Sequence, residues 1–168
     1  MSAALAKRAA AGDRAAFSEL LAREYDFIFR VAFRWLGARH EAEDLAQDVC
    51  IKLARTVGQF EGKSQFRTWL YRLVLNAARD RQRRAGRLPD AADISEMQVA
   101  DPRSTDEGLE RDALWQAVRQ LPPRQADSVL LVYAEEKSHA EAAAILGCSE
   151  STVSWHVHEA KKALRALL

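Results

Sequence analysis

Only two cysteines occur in 168 residues, Cys50 and Cys148, and no Cys-x-x-Cys spacing is present. That pattern supports neither a disulfide framework nor a thiolate metal site, and both side chains are read as filling core or near-core space. Long apolar runs are also missing: no stretch reaches the roughly 18 residues that a membrane span needs. The opening "MSAALAKRAAAGDRAAF" turns polar at once and does not follow the pattern of a secretory signal. No direct membrane insertion is therefore expected, and the cytoplasm is the expected compartment. Glycine numbers only seven, with no Gly-rich phosphate loop among them. No nucleophile, base and orienting acid stand at a suggestive spacing, so an enzyme and a cofactor are not expected. His156 and His158 lie near Cys148, but two residues apart on a helix they point about 200° away from each other and cannot readily share a metal.

What is present suits a folded helical protein, with 48% hydrophobic and 29% charged residues. The net charge of +1 conceals a division along the chain. Residues 1–88 carry 17 Lys and Arg against 10 Asp and Glu, a net +7. Residues 89–110 carry 1 against 7, a net −6, and residues 111–168 carry 7 of each. A basic first part suits a polyanion; an acidic middle would avoid one or occupy a basic channel in a partner.

The first part reads as helices throughout. In "AAFSELLAREYDFIFRVAFRWL", Phe17, Leu20, Leu21, Ile28, Val31, Ala32 and Trp35 recur at helical spacing, Asp13 can cap the start and Gly37 ends the run. "HEAEDLAQDVCIKLARTV" has a stripe of Ala42, Leu45, Val49, Leu53 and Val57, and an outer face of Glu41, Asp44, Asp48 and Lys52. After a loop, "QFEGK", Ser64 is read as the cap of a third helix. That helix buries Phe66, Trp69, Leu70, Leu73 and Ala77 and turns Arg72, Asn76, Arg79 and Arg83 outward. Lys63 and seven arginines from Arg67 to Arg87 exceed what solubility requires, which favours a nucleic-acid or other polyanion surface.

Periodicity fails across "LPDAADISEMQVADPRSTDEG", where Pro89, Pro102, Gly108 and the acidic excess mark a flexible linker. The expected architecture is all-α, with helical domains at 1–88 and 111–168 and an acidic linker at 89–110. In the second domain Leu114, Val118 and Leu121 stripe a short helix ending at Pro122 and Pro123, and "RQADSVLLVYAE" follows. Ser138 and Glu141 have capping-box spacing before "AEAAAILG", Gly147 supplies a turn, and Ser149 can cap the last helix. This is a helix-turn-helix signature, although bundles also contain such hairpins.

On the last helix Val153, Val157, Ala160, Leu164 and Leu167 share one face; Ser151, Trp155, His158, Glu159 and Lys162 fall broadly opposite. Such polar and aromatic residues can meet base edges. An outward tryptophan needs a cover, and DNA, a partner protein and the first domain all remain open.

"HEAEDLAQDVCIKL", "SQFRTWLYRLVLNAARDRQRR", "LPPRQADSVLLVY" and "AEAAAILGCSESTVSWHVHEAKKAL" resemble, in order and across nearly the whole chain, the bacterial sigma factors of the extracytoplasmic-function group. The resemblance implies a non-catalytic partner of core RNA polymerase that directs promoter recognition and opening. It implies that Asp44, Gln47 and Asp48 dock on the clamp helices of the largest subunit. The loop "QFEGKSQF" would capture a base flipped from the near-start promoter element, and Trp69 would support that surface from beneath. Lys63, Arg72, Asn76, Arg79 and Arg83 would follow near-start DNA, and the acidic linker would thread the polymerase channels. The second domain would bind the flap of the other large subunit and place Ser151, Thr152, Ser154, Trp155, His158, Glu159 and Lys162 at the upstream element. An anti-sigma factor is an implied partner. The chain departs from the family pattern at Ser154, His156 and Glu159, where basic residues are usual, so weaker or differently specified upstream binding is expected. Two other readings stay open: a stand-alone helix-turn-helix regulator, and a sigma-like chain acting mainly through protein–protein contacts.

Overall fold

The computed structural model describes residues 1–86 and 106–167. All regular structure among them is helical, in two units divided after residue 84. The expected acidic linker lies mostly outside the described residues. Its last part does not: residues 106–110 belong to a helix, because Leu114 and Val118 continue a run that starts at Asp106.

In the first unit, α1 (Ser2–Ala10), α2 (Arg14–Leu36), α3 (Arg39–Thr56) and α4 (Phe66–Arg84) pack together, with a 3-10 turn at Val57–Gln59. The opening helix α1 was not anticipated as an element of its own. It is held by Leu5 and Ala6, both buried. The Asp13 carboxylate accepts the Ala16 amide at 3.0 Å, which satisfies one of the orphan donors at the start of α2. Along α2 the buried side chains are Ala16, Leu20, Glu24, Phe27, Ile28, Val31, Ala32 and Trp35, while Phe17 and Leu21 lie at the margin. Gly37 ends the helix in the left-handed region. The whole expected stripe of α3 is buried, from Ala42 through Leu53 to Val57 in the following turn.

The start of α4 differs from expectation. Ser64 does not cap it; the Ser64 hydroxyl lies 3.4 Å from the Gln65 carbonyl, and that carbonyl accepts the Trp69 amide at 3.3 Å. The helix buries Phe66, Leu70, Tyr71, Leu73, Val74, Leu75 and Ala78. Trp69 and Ala77, expected in the core, are only half-buried because the deepest contacts are taken by Leu70 and Val74 on the adjoining face.

In the second unit α5 (Asp106–Gln120) stops before the two prolines, and Pro123 opens α6 (Pro123–Val129). That helix continues through Leu130–Ala134 with wider turns, the Glu135 amide reaching the Leu130 carbonyl at 2.9 Å, five residues back. Then come α7 (His139–Leu146) and α8 (Glu150–Leu167). The capping box is complete: the Glu141 amide donates to the Ser138 hydroxyl at 3.1 Å, and the Ser138 amide donates to the Glu141 carboxylate at 2.8 Å. At the turn, Gly147 has φ of +68°, a conformation that side chains with a Cβ rarely take. Arg124 donates to the Leu146 carbonyl at 3.2 Å, placing a cation at the C-terminus of α7.

Candidate nucleic-acid interface

Helix α4 of the first unit presents its basic residues beside a buried stripe. Arg72, Asn76 and Arg83 are exposed, and spacings of four, three and four keep them with Arg79 along one side of α4. Arg79 is half-buried rather than fully outward, and its guanidinium donates to Gln82, about one turn further along α4, at 3.3 Å. Arg83 pairs with Asp80 at 3.4 Å in an exposed contact that competes weakly with a phosphate. Arg87 lies outside the described residues.

The loop before α4 is closed at its base by aromatic packing. Phe60 and Phe66, both buried, meet edge to face with ring centres 5.3 Å apart. Trp69 completes the cluster at 5.7 Å from Phe60 and 5.8 Å from Phe66. Aromatic pairs of this geometry contribute about 0.5–1.5 kcal/mol beyond their burial, enough to hold the loop ends together. Within the loop Gly62 turns the chain at φ of +74°, and Lys63 is exposed and pairs with Glu61.

On α3, Gln47 and Asp48 are exposed. Asp44 is half-buried, not simply outward, because α4 packs over it: Arg81 lies 3.4 Å from Asp44 and 3.8 Å from Asp48. His40 adds a 3.6 Å approach to Asp44. The acidic face and the arginine-rich helix thus meet in one unit. The charge pattern allowed this contact, but sequence spacing has no means of pairing residues 37 positions apart.

In the second unit the outer side of α8 exposes Ser151, Ser154, Trp155, His158 and Lys162, while Thr152 and Glu159 are half-buried. Trp155 is 57% exposed and packs edge-on against His156 at 5.0 Å. Val153, Val157 and Ala160 form the inner face; Leu164 is half-buried and Leu167 is exposed, since the helix runs beyond the elements it packs on. The α8 N-terminus is capped by Ser149, which accepts the Thr152 amide at 3.2 Å. Five expected contact residues are tied within the protein: the Ser151 and Thr152 hydroxyls lie 3.0 and 2.8 Å from that of Ser149, and Ser154, Glu159 and Lys162 are held as well. Ser154 hydrogen-bonds His139 Nδ1 at 2.7 Å, fastening α8 to the first residue of α7, and Glu159 pairs with Lys162 at 3.3 Å.

Cys50 and Cys148 are free and half-buried; burial pushes the Cys50 thiol up from its ordinary range. Among the described residues no group of three metal-ligating side chains comes together, and no helix is long and apolar enough to cross a membrane.

A basic helix over an acidic one in the first unit, with a helix-turn-helix in the second, defines a class of helical DNA-binding transcription proteins. Comparison with known families narrows it. Residues 20–88 match the Sigma-70 region 2 family and residues 111–164 match Sigma-70, region 4. The ECF RNA polymerase sigma factor SigW of Bacillus subtilis is 31% identical, with 96% of this chain and 94% of that protein covered. The ECF RNA polymerase sigma factor SigM of Mycobacterium tuberculosis is 34% identical over 94% of this chain and 80% of that protein. Among solved structures, CnrH in complex with the cytosolic domain of CnrY superposes with a TM-score of 0.69 at 28% identity, covering 99% of this chain and 96% of that one. The sigma factor RpoE in complex with the anti-sigma factor NepR from Bartonella quintana gives 0.68 at 25% identity, covering 90% and 95%. The chain belongs to the ECF RNA polymerase sigma factors. It is accordingly a promoter-directing subunit and not a catalyst; bond formation belongs to the polymerase.

Proposed function

We propose that this sigma factor divides its work between the two faces of its first unit and the outer side of α8. Asp44, Gln47 and Asp48 dock on the clamp helices of the largest polymerase subunit. The loop at residues 60–65 receives a base flipped from the near-start element, which costs a few kcal/mol of unstacking that pocket and backbone contacts must offset. Lys63, Arg72, Asn76, Arg79 and Arg83 then hold the displaced strand by its phosphates, which sets position rather than sequence. The observation that carries this reading is the basic side of α4 lying next to an aromatic-braced loop in one small unit.

The second unit binds the upstream element through Ser151, Thr152, Ser154, Trp155, His158, Glu159 and Lys162, and also meets the flap of the other large subunit. An anti-sigma factor holds the chain inactive, a reading supported by the complex of the structural relative RpoE with the anti-sigma factor NepR. The chain acts in the cytoplasm, where polymerase is. Run-off transcription with purified core polymerase and a genomic promoter library is the test: sigma-dependent transcripts sharing two spaced elements are expected, and their absence would overturn the proposal.

The exposed Trp155 and the internally paired Glu159 favour a second reading for α8 alone, in which its outer side contacts protein rather than DNA. Trp155→Ala separates the two. Under DNA reading it weakens upstream-element protection by holoenzyme; under protein contact it leaves that footprint intact and lowers partner capture.

A further inference from the structure

Glu24 is the most deeply buried carboxylate of the first unit, 1% exposed, yet it occupies no place in docking or DNA contact. Its two oxygens face two different elements. Oε1 accepts the Ser2 hydroxyl at 2.5 Å, and Oε2 accepts Arg67 Nε at 3.1 Å. Ser2 opens α1, and Arg67 is the second residue of α4, directly after the loop. The Arg67 guanidinium also lies 4.8 Å from the centre of the Phe27 ring, which in turn meets Tyr71 of α4 edge to face at 4.8 Å. A buried carboxylate left without its cation would be strongly unfavourable, so this contact fixes where Arg67 and the start of α4 must sit. On the other end of α1, Lys7 reaches the loop itself: its Cε would be 3.8 Å from a Cβ placed on Gly62. Helix α1 also packs along the turn at Val57–Gln59 that leads into the loop.

We infer that α1, through the buried Ser2–Glu24–Arg67 contact and Lys7, is a strap that sets the position of the 60–65 loop, making Glu24 and Arg67 positioning residues for promoter opening. The inference rests on the proposed base-receiving role of that loop. Helix α1 precedes the segment matched to Sigma-70 region 2, which begins at residue 20. Arg67 is 55% exposed and can also touch DNA, whereas Glu24 cannot. An effect of Glu24 on opening must therefore pass through the residues it holds. The loop must offset a few kcal/mol of base unstacking, and losing about 1.4 kcal/mol of that compensation corresponds to about tenfold in the opening rate.

The test uses holoenzyme made from full-length protein on a promoter recovered by the run-off experiment, with 2-aminopurine in the near-start element reporting base unstacking. Core affinity by competition and thermal melting are measured beside it. Glu24→Gln keeps the shape and a Ser2 acceptor but removes the charge that holds Arg67. Opening is expected to slow about tenfold or more with core affinity within about twofold. Arg67→Ala should behave alike, and Arg67→Lys should recover part of the rate. A template already mismatched at the near-start element should reduce the Glu24→Gln deficit. If both Glu24→Gln and Arg67→Ala open promoters at the wild-type rate, or lose opening and core binding equally, the strap is overturned. Replacing residues 61–64 with glycine and serine distinguishes the two levels: unchanged opening there defeats the loop's role, whereas loss there with a normal Glu24→Gln defeats only the strap.

Discussion

Arg81 of α4 approaches two carboxylates of α3 at once, 3.4 Å from Asp44 and 3.8 Å from Asp48. Its guanidinium thus sits on the face proposed to meet polymerase, and partly neutralises it. All three side chains are a third or more exposed, so the pair contributes less than about 1 kcal/mol to stability. Its larger effect is on the field that a basic partner meets.

Arg81→Gln is therefore expected to leave the melting temperature nearly unchanged and to speed association with core polymerase about twofold at low salt. The gain should vanish as salt screens the exposed carboxylates. Stopped-flow association across an ionic-strength series checks both; slower association would show that Arg81 itself contacts the partner.

Replacing Arg79 and Arg83 together with alanine should impair opening more than docking. If each holds one phosphate of a single strand, the slope of log affinity against log salt becomes shallower by about 1.4. Equal losses in opening and core binding would count against a DNA role for these two.

Much of the architecture could be read from periodicity, because burial on a helix repeats every three to four residues. The stripe of α3, the caps at Asp13 and Ser138 and the turn at Gly147 follow from local chemistry alone. What escaped depends on contacts between distant positions. Glu24 stands in register with Leu20 and Ile28 on the buried side of α2, a placement that spacing alone could have flagged. Its partners, Ser2 and Arg67, lie 22 and 43 residues away, beyond any local pattern. Likewise Ser154 looked like a free outer residue of α8 until α7 brought His139 against it. Helical spacing gave α3 an acidic outer face and α4 a basic one, but not that Arg81 joins them.

Two carboxylates give the protein an acid-sensitive limb. The Ala16 amide, followed by Arg8, holds the Asp13 carboxyl below its usual range, and the Ser138 amide and hydroxyl do the same for Glu141. A depressed carboxylate contributes stability that is full above its ordinary value of about 4 and is lost as pH falls through the lowered one. Asp13→Asn, which can still cap α2, and Glu141→Gln should each flatten the fall in melting temperature below about pH 4. Near neutral pH, Ser138→Ala should cost about 1 kcal/mol by removing the hydroxyl of the α7 cap. Thermal unfolding across that pH range measures all three.

Glu159 combines two effects on the α8 surface. On the side proposed to face DNA it places a negative charge where a phosphate would approach, and it holds the Lys162 ammonium at 3.3 Å. Glu159→Arg removes the repulsion, adds a cation and releases Lys162. Non-specific duplex affinity of the full chain should rise, with the salt slope steepening by about 0.9 for one new phosphate contact and about 1.8 for two. Glu159→Gln separates the contributions, since it can free Lys162 without adding a charge; a slope change near 0.9 would assign the gain to Lys162. An unchanged slope in both variants would mean that this side of α8 does not face DNA, and would favour the protein-contact reading centred on Trp155.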